Sequence, residues 1–177
     1  MNRGDSSIDA VTAAARDESL DFAGMSSPDG AVTLLIAEAE RTLEGSSETL
    51  TRIVEQHDGQ VVKSESGASM CSFASAHAGL HTAIELQQAF TSAPLRIGLH
   101  SGFVMADASE FFGRNVVLAA RIADFAQPGE ILVSGALREY TAGDPSFEFE
   151  PRGEQHFKGL LGEHPVYAVS WSSGAEG

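Results

Sequence analysis

The pattern of apolar and polar positions divides the chain into short strands and helices. AVTLLIA, Ala31 to Ala37, is a continuous apolar run of the length expected for a strand buried on both faces. After it, Ser46 or Ser47 offers an N-cap, Glu48 suits the first turn, Leu50, Ile53 and Val54 recur at helical spacing, and Asp58 with Gly59 makes a stop. These predict a helix from about Glu48 to His57. GQVVKSES and ASMCSF read as two strands turning over at Ser66 and Gly67. Ser75 then caps a helix reaching about Ala89, with Leu80, Ala83, Ile84 and Gln87 on one side. Leu95 to Met105 reads as a strand, ADASEFFG as a loop, and Gly113 to Phe125 as a helix with Val116, Ala119, Ala120 and Ala123 on one face, stopped by Pro128 and Gly129. EILVS is a strand, Gly135 to Tyr140 a short helix, and FEFE, QHF and PVYAV small strands.

The order is βαββαβ with one tight hairpin, which is the pattern of a ferredoxin-like α+β sheet with additions at its C-terminal end. Residues 31–170 are expected to form this domain. Met1 to Gly30 is charged, Ser-rich and broken by glycines, with one weakly helical piece from about Ile8 to Leu20, so residues 1–30 are expected to be a flexible N-terminal arm. A linker or regulatory segment is the other reading of that stretch. Residues 171–177 are expected to be a C-terminal tail, frayed over SSGAEG.

Composition narrows the partners. A formal net charge of -14 over 177 residues argues against nucleic acid or an anionic membrane surface, because phosphate binding draws on clustered Lys and Arg. The single Cys71 cannot form an internal disulfide and is expected to be buried and inert. No stretch approaches the ~20 apolar residues of a membrane span, and the first residues lack the apolar centre of a signal peptide. A cytoplasmic protein, with no membrane partner, is the expectation.

AVTLLIAEAE, QVVKSESGASMCSF, PLRIGLHSG, FFGRNVVLAARIA, PGEILVS and RGEQHFKGL follow one another in the chain, and together they resemble a class III nucleotide cyclase domain over about Ala31 to Val169. The resemblance implies a head-to-tail homodimer or pseudo-dimer with ATP or GTP in composite clefts between subunits. In active members, two aspartates hold two divalent cations, which bind the triphosphate and activate the ribose hydroxyl. Such cations demand hard oxygen ligands in near-octahedral geometry.

The same comparison marks departures. The first metal aspartate lies in a motif like FTDIEGST; here IAEAERTL puts Glu38 in its place, with Glu40 matching an accompanying glutamate. Glu38 keeps the charge and adds a methylene. The second lies in a motif like KTEGDGF, where alignment on Lys63, Glu65 and Met70 puts Gly67 at the aspartate position. Glycine offers a cation no side-chain oxygen, and Glu65 is not a substitute, because relatives carry both acids. In the pattern VNxAAR, asparagine and arginine hold the ribose and the transition-state phosphate; here VVLAAR keeps Arg121 and replaces the amide with Val117. Asn115, six residues before Arg121, falls on another side of the helix. By the same resemblance, Lys63 and Glu110 occupy the base-selecting positions, where they either read the adenine edge or pair with each other across the dimer. Lys158 matches a lysine that meets the terminal phosphates, with an ordinary surface lysine as the plainer reading.

Other signals are weaker. His77 and His81 are spaced i, i+4, but no glutamate follows His77 and no third ligand is evident, so a zinc site is not expected. His100 in GLHSG reads as structural. There is no dinucleotide or P-loop pattern. The leading expectation is a cyclase homology domain with a degenerate site, serving as a dimeric regulatory or nucleotide-binding module without a bound cofactor. An active divergent adenylate cyclase using Mg²⁺ or Mn²⁺ is the alternative, and heterodimerisation with a cyclase chain that supplies the missing aspartates is a third.

Overall fold

The computed structural model describes residues 7–18, 26–41, 44–103 and 112–171. The first strand, β1 (Ala31–Ala39), has every residue from Ala31 to Ala37 buried, which accounts for its unbroken apolar run. It pairs antiparallel with β3 (Ala68–Phe73) on one side and with β4 (Leu95–Phe103) on the other. β2 (Gln60–Glu65) closes the hairpin with β3 as an exposed edge strand. The crossover helices of this half are α2 (Ser46–Gln56) and α3 (Ala76–Ala89).

Beyond β4, a π-helical turn (Phe112–Val116) runs into α4 (Val117–Phe125), which leads to β5 (Ile131–Ser134), parallel to β4. The short helix α5 (Gly135–Thr141) and the antiparallel pair β6 (Phe149–Gln155) and β7 (His164–Val169) complete a seven-stranded sheet of order β2-β3-β1-β4-β5-β7-β6. Its β2-β3-β1-β4 half is the ferredoxin-like core expected from the sequence, and the rest is the C-terminal addition.

Alternation along the strands divides the core into two faces. Leu35, Ala37, Cys71, Phe73, Ile97 and Leu99 point to the side covered by α2 and α3. Val32, Leu34, Ile36, Ala68 and Met70 point to the other, where α4 packs through Ala119, Ala120 and Ala123. Small residues let α4 approach closely: a Cβ added to Gly98 of β4 would lie 2.3 Å from the backbone nitrogen of Ala123.

An eleven-residue helix, α1 (Ser7–Asp17), lies on this second face, with Ile8, Val11 and Ala15 fully buried against the same cluster. For this stretch the expectation of a flexible arm is corrected. The spacing i, i+3, i+7 gives the helix one apolar edge, and the sheet supplies the surface that a short helix needs in order to persist.

Local differences have local causes. α2 begins at Ser46, one residue after a left-handed Gly45 (φ 82°) that takes the N-cap place without a side-chain bond, so neither serine caps it. Its end is marked by Asp58, itself left-handed at φ 63°. Ser75 does cap α3, accepting from the Ala78 amide at 3.1 Å. FEFE and QHF, expected as two strands, fall in and around the single edge strand β6, which carries Pro151 where the register shifts. β4 is described to Phe103, and of the loop ADASEFFG expected after it only Phe112 and Gly113 are described, as the start of the π-helical turn. Trp171 ties the chain beyond β7 to the turn before β5, its Nε1 donating to the Gly129 carbonyl at 2.9 Å. Among the described residues, no helix is long and apolar enough to cross a membrane.

Two measurements check this packing. Gly98→Ala should destabilise the fold by about 1–3 kcal/mol in urea unfolding, because the colliding atoms are backbone and cannot rotate away. Cys71 is buried, which pushes its thiol pKa up to about 12. In the native protein it should resist iodoacetamide at pH 8 and react only as the fold opens.

Candidate functional site

The site residues marked by sequence gather on the face that carries α1 and α4, and at the adjoining hairpin. Glu38 is the next residue after Ile36 on that side of β1, near the end of the strand. It lies opposite Ala68, and the next amide, Ala39, donates to the Gly67 carbonyl at 3.1 Å. The structure therefore brings Glu38 and Gly67 side by side. Glu40 lies just past the end of β1 and is exposed, outside the alternation that would align it with Glu38.

The hairpin tip explains the glycine. Ser66 and Gly67 both have positive φ, 53° and 98°, the combination of a type I′ two-residue turn. Glycine takes this conformation without steric cost, whereas a side chain at 67 would be held in a strained backbone region. A two-cation site does not fit here. Glu38 supplies a carboxylate, position 67 supplies no side-chain oxygen, and Glu38 Oε2 already accepts a hydrogen bond from the Ser7 hydroxyl. Among the described residues, no group of three or more His, Cys, Asp or Glu side chains is placed to hold a metal ion. His77 instead faces Asp144 at 3.6 Å, and His81 packs on the Phe147 ring at 4.9 Å.

Arg121 lies four residues after Val117, on the same side of α4. Its Nε donates to the Lys158 carbonyl at 3.2 Å, and its Nη1 pairs with Asp9 Oδ1 at 3.3 Å, with both side chains 28% exposed. The structure thus places Arg121 beside the Lys158 backbone, while the Lys158 residue itself is exposed. Val117 is half-buried and has no polar group to offer. Lys63, opposite Met70 at the bulge of β2, donates to Glu18, and that carboxylate raises the ammonium pKa. Glu110 lies outside the described residues.

Asn115 has a separate role. It is buried in the π-helical turn, where its Oδ1 meets His100 Nε2 at 2.8 Å, while His100 Nδ1 meets Ser134 Oγ at 2.7 Å. A neutral imidazole satisfies both bonds, with Nε2–H donating to Asn115 and Nδ1 accepting from Ser134. Burial drives the His100 pKa down to about 4. Asn115 is therefore spent on the interior and does not replace the amide lost at Val117.

Sequence reasoning missed three contributors, all on or just after α1: Ser7 at Glu38, Asp9 at Arg121 and Glu18 at Lys63. The spacing of Ile8, Val11 and Ala15 was the available signal, masked by the serine- and glycine-rich sequence around it.

Comparison with known proteins assigns the chain to a family and supports the fold. Residues 62–170 match the model of the family described as the Adenylate and Guanylate cyclase catalytic domain. A relative in Rhizobium meliloti (strain 1021) named "Putative adenylate cyclase 3" is 33% identical over 135 residues, 71% of this chain and 23% of its own length. Among solved structures, the adenylate/guanylate cyclase/hydrolase from Silicibacter pomeroyi superposes with a TM-score of 0.65 at 23% identity, covering 78% of this chain and 95% of that one. The adenylyl cyclase CyaB from P. aeruginosa gives 0.68 at 16% identity, covering 80% and 94%. The chain belongs to the adenylate and guanylate cyclase catalytic domain family. It spans about a quarter of the length of the Rhizobium relative.

Two outcomes follow from these environments. Gly67→Asp should lower stability by about 1–3 kcal/mol in urea unfolding, the cost of placing a side chain in a sparsely populated backbone region. His100 binds a proton less readily folded, near pH 4, than unfolded, near its ordinary 6.5. The unfolded state therefore holds the extra proton between those values, and the His100 contribution is complete above pH 6.5 and lost as pH falls toward 4. Its slope should reach about 1.4 kcal/mol per pH unit. Urea unfolding across that range should show this one-proton component, absent in His100→Gln.

Proposed function

We propose that this chain is a cyclase homology domain with a degenerate site, one that retains the family's fold and some of its charged groups but acts as a regulatory or nucleotide-binding signalling module rather than an efficient cyclase. The observation that carries this reading is the hairpin tip, where Gly67 stands directly beside Glu38 and leaves one carboxylate where the chemistry calls for two. Two-cation catalysis stabilises both the attacking and the leaving oxygen, and a half-built site forfeits several kcal/mol of that stabilisation. Val117 adds the loss of a hydrogen-bond donor, worth about 10²- to 10³-fold in rate.

What remains suits binding more than turnover. Arg121, Lys63 and Lys158 are cations able to meet phosphate or the base edge of ATP or GTP, and Glu110 stands at the second base-selecting position. Homodimerisation accords with the family. Because a composite cleft draws on two chains, a partner cyclase chain with both aspartates is the natural heterodimer. Mg²⁺ or Mn²⁺ enters only with an active enzyme. The acidic balance of the chain supports neither nucleic acid nor an anionic membrane as a ligand.

A cyclic nucleotide assay tests the reading, with ATP and GTP, each with Mg²⁺ and Mn²⁺, on the unaltered chain and on the double variant Gly67→Asp with Val117→Asn. The expected outcome is no turnover above background from the unaltered chain and a measurable gain from the double variant. Sustained cyclic AMP or cyclic GMP production by the unaltered chain would establish an active divergent cyclase instead.

A further inference from the structure

We propose that α1 is a built-in competitor for the candidate site: Asp9 on it and Glu18 just after it occupy the cations that a phosphate-bearing ligand needs, so that such a ligand binds only after α1 lifts away. The proposal rests on the nucleotide-binding part of the reading above. One short segment engages three separate charged residues of the site. Ser7 donates to Glu38, Asp9 pairs with Arg121 at 3.3 Å, and Glu18 pairs with Lys63. These targets belong to β1, α4 and β2, so an element that reaches all of them lies across the site.

The chemistry of the contacts is that of substitution. Arginine pairs with a carboxylate through the same charge-assisted bonds that it makes to a phosphate oxygen. Asp9 at Arg121 thus takes the interaction that a phosphate would require, and Glu18 does the same at the Lys63 ammonium. Ser7 differs, since its neutral hydroxyl donates to the Glu38 carboxylate and so anchors α1 at that end without standing in for a phosphate.

The energetics make the cap removable. Its apolar seam consists of Ile8, Val11 and Ala15, a small buried surface for a whole element. The two ion pairs are partly exposed, with side-chain accessibilities of 28% on both members at Arg121 and of 25% and 49% at Lys63 and Glu18, and such pairs contribute little individually. An eleven-residue helix is too short to persist alone in water, so undocking and unwinding are coupled. The strand pairing of the sheet and the seat of α4 on β4, where Ala123 lies against Gly98, do not involve α1, which makes the cap the element suited to opening locally while the fold remains.

The test uses the full chain in three forms. Val11→Asp puts a charge into the apolar seam and releases α1 without altering Glu38, Lys63 or Arg121. Asp9→Asn with Glu18→Gln keeps the seam and removes both ion pairs. Isothermal titration with sodium tripolyphosphate and with ATP reads affinity, and hydrogen exchange of the Ser7–Asp17 amides reads docking. A cap closed about nine-tenths of the time lowers apparent affinity about tenfold. Both variants should therefore bind the two ligands at least about tenfold more tightly than the unaltered chain. Its α1 amides should be protected, should lose protection in Val11→Asp, and should exchange faster in saturating tripolyphosphate.

The proposal fails if α1 of the unaltered chain exchanges like an unstructured peptide. It fails also if affinities agree within about twofold across the forms, including no detectable binding by any. A gain confined to Val11→Asp would overturn the competition between carboxylate and phosphate. If Val11→Asp does not fold, the ion-pair variant decides alone. Turnover by the unaltered chain would defeat the degenerate-cyclase reading, whereas a tenfold gain in binding on release sustains the cap whichever way turnover falls.

Discussion

The antiparallel registration of β1 between β3 and β4 is the constraint on which the site depends. Because β1 is covered on both faces, its residues cannot slip by one position without driving Val32, Leu34 and Ile36 into the opposite layer. That register places Glu38 on the side of α1 and α4 and sets it against the turn of the neighbouring hairpin. The pairing of β4 with β5 likewise requires α4 to pass over the sheet, which carries Arg121 to the same face. Two segments far apart in sequence are brought together by strand pairing and not by direct bonds between their side chains.

The polar groups fall into two sets with different partners. Arg121, Lys63 and Glu38 each draw a partner from α1 or the residue after it, and Arg121 donates to the Lys158 carbonyl as well. Asn115, His100 and Ser134 form an interior chain of hydrogen bonds that joins β4, the π-helical turn and β5. Polar character is thus split between an outer face on which α1 lies and a satisfied interior network.

Much of the core was legible in the sequence because its signals are local. AVTLLIA announced a doubly covered strand, Ser66 and Gly67 announced the hairpin, and Ser75 announced the start of α3. The identities of Gly67 and Val117 were equally plain, since a missing oxygen or amide needs no coordinates to be noticed. What remained hidden was non-local. Nothing in SIDAVTAAARD says which surface its apolar edge will meet, and the surrounding serines and glycines favoured a mobile reading. The N-cap of α2 was misplaced because Gly45, in a left-handed conformation, took the place assigned to Ser46 or Ser47, whereas the stop read at Asp58 coincides with a left-handed residue there. The π-helical turn was invisible for a related reason: one wider turn leaves the apolar spacing of α4 intact.

The bend between Ser66 and Gly67 also limits what that corner of the hairpin can carry. A backbone that relies on glycine at its second corner penalises any side chain there, an acid included, unless neighbouring residues also reshape the loop.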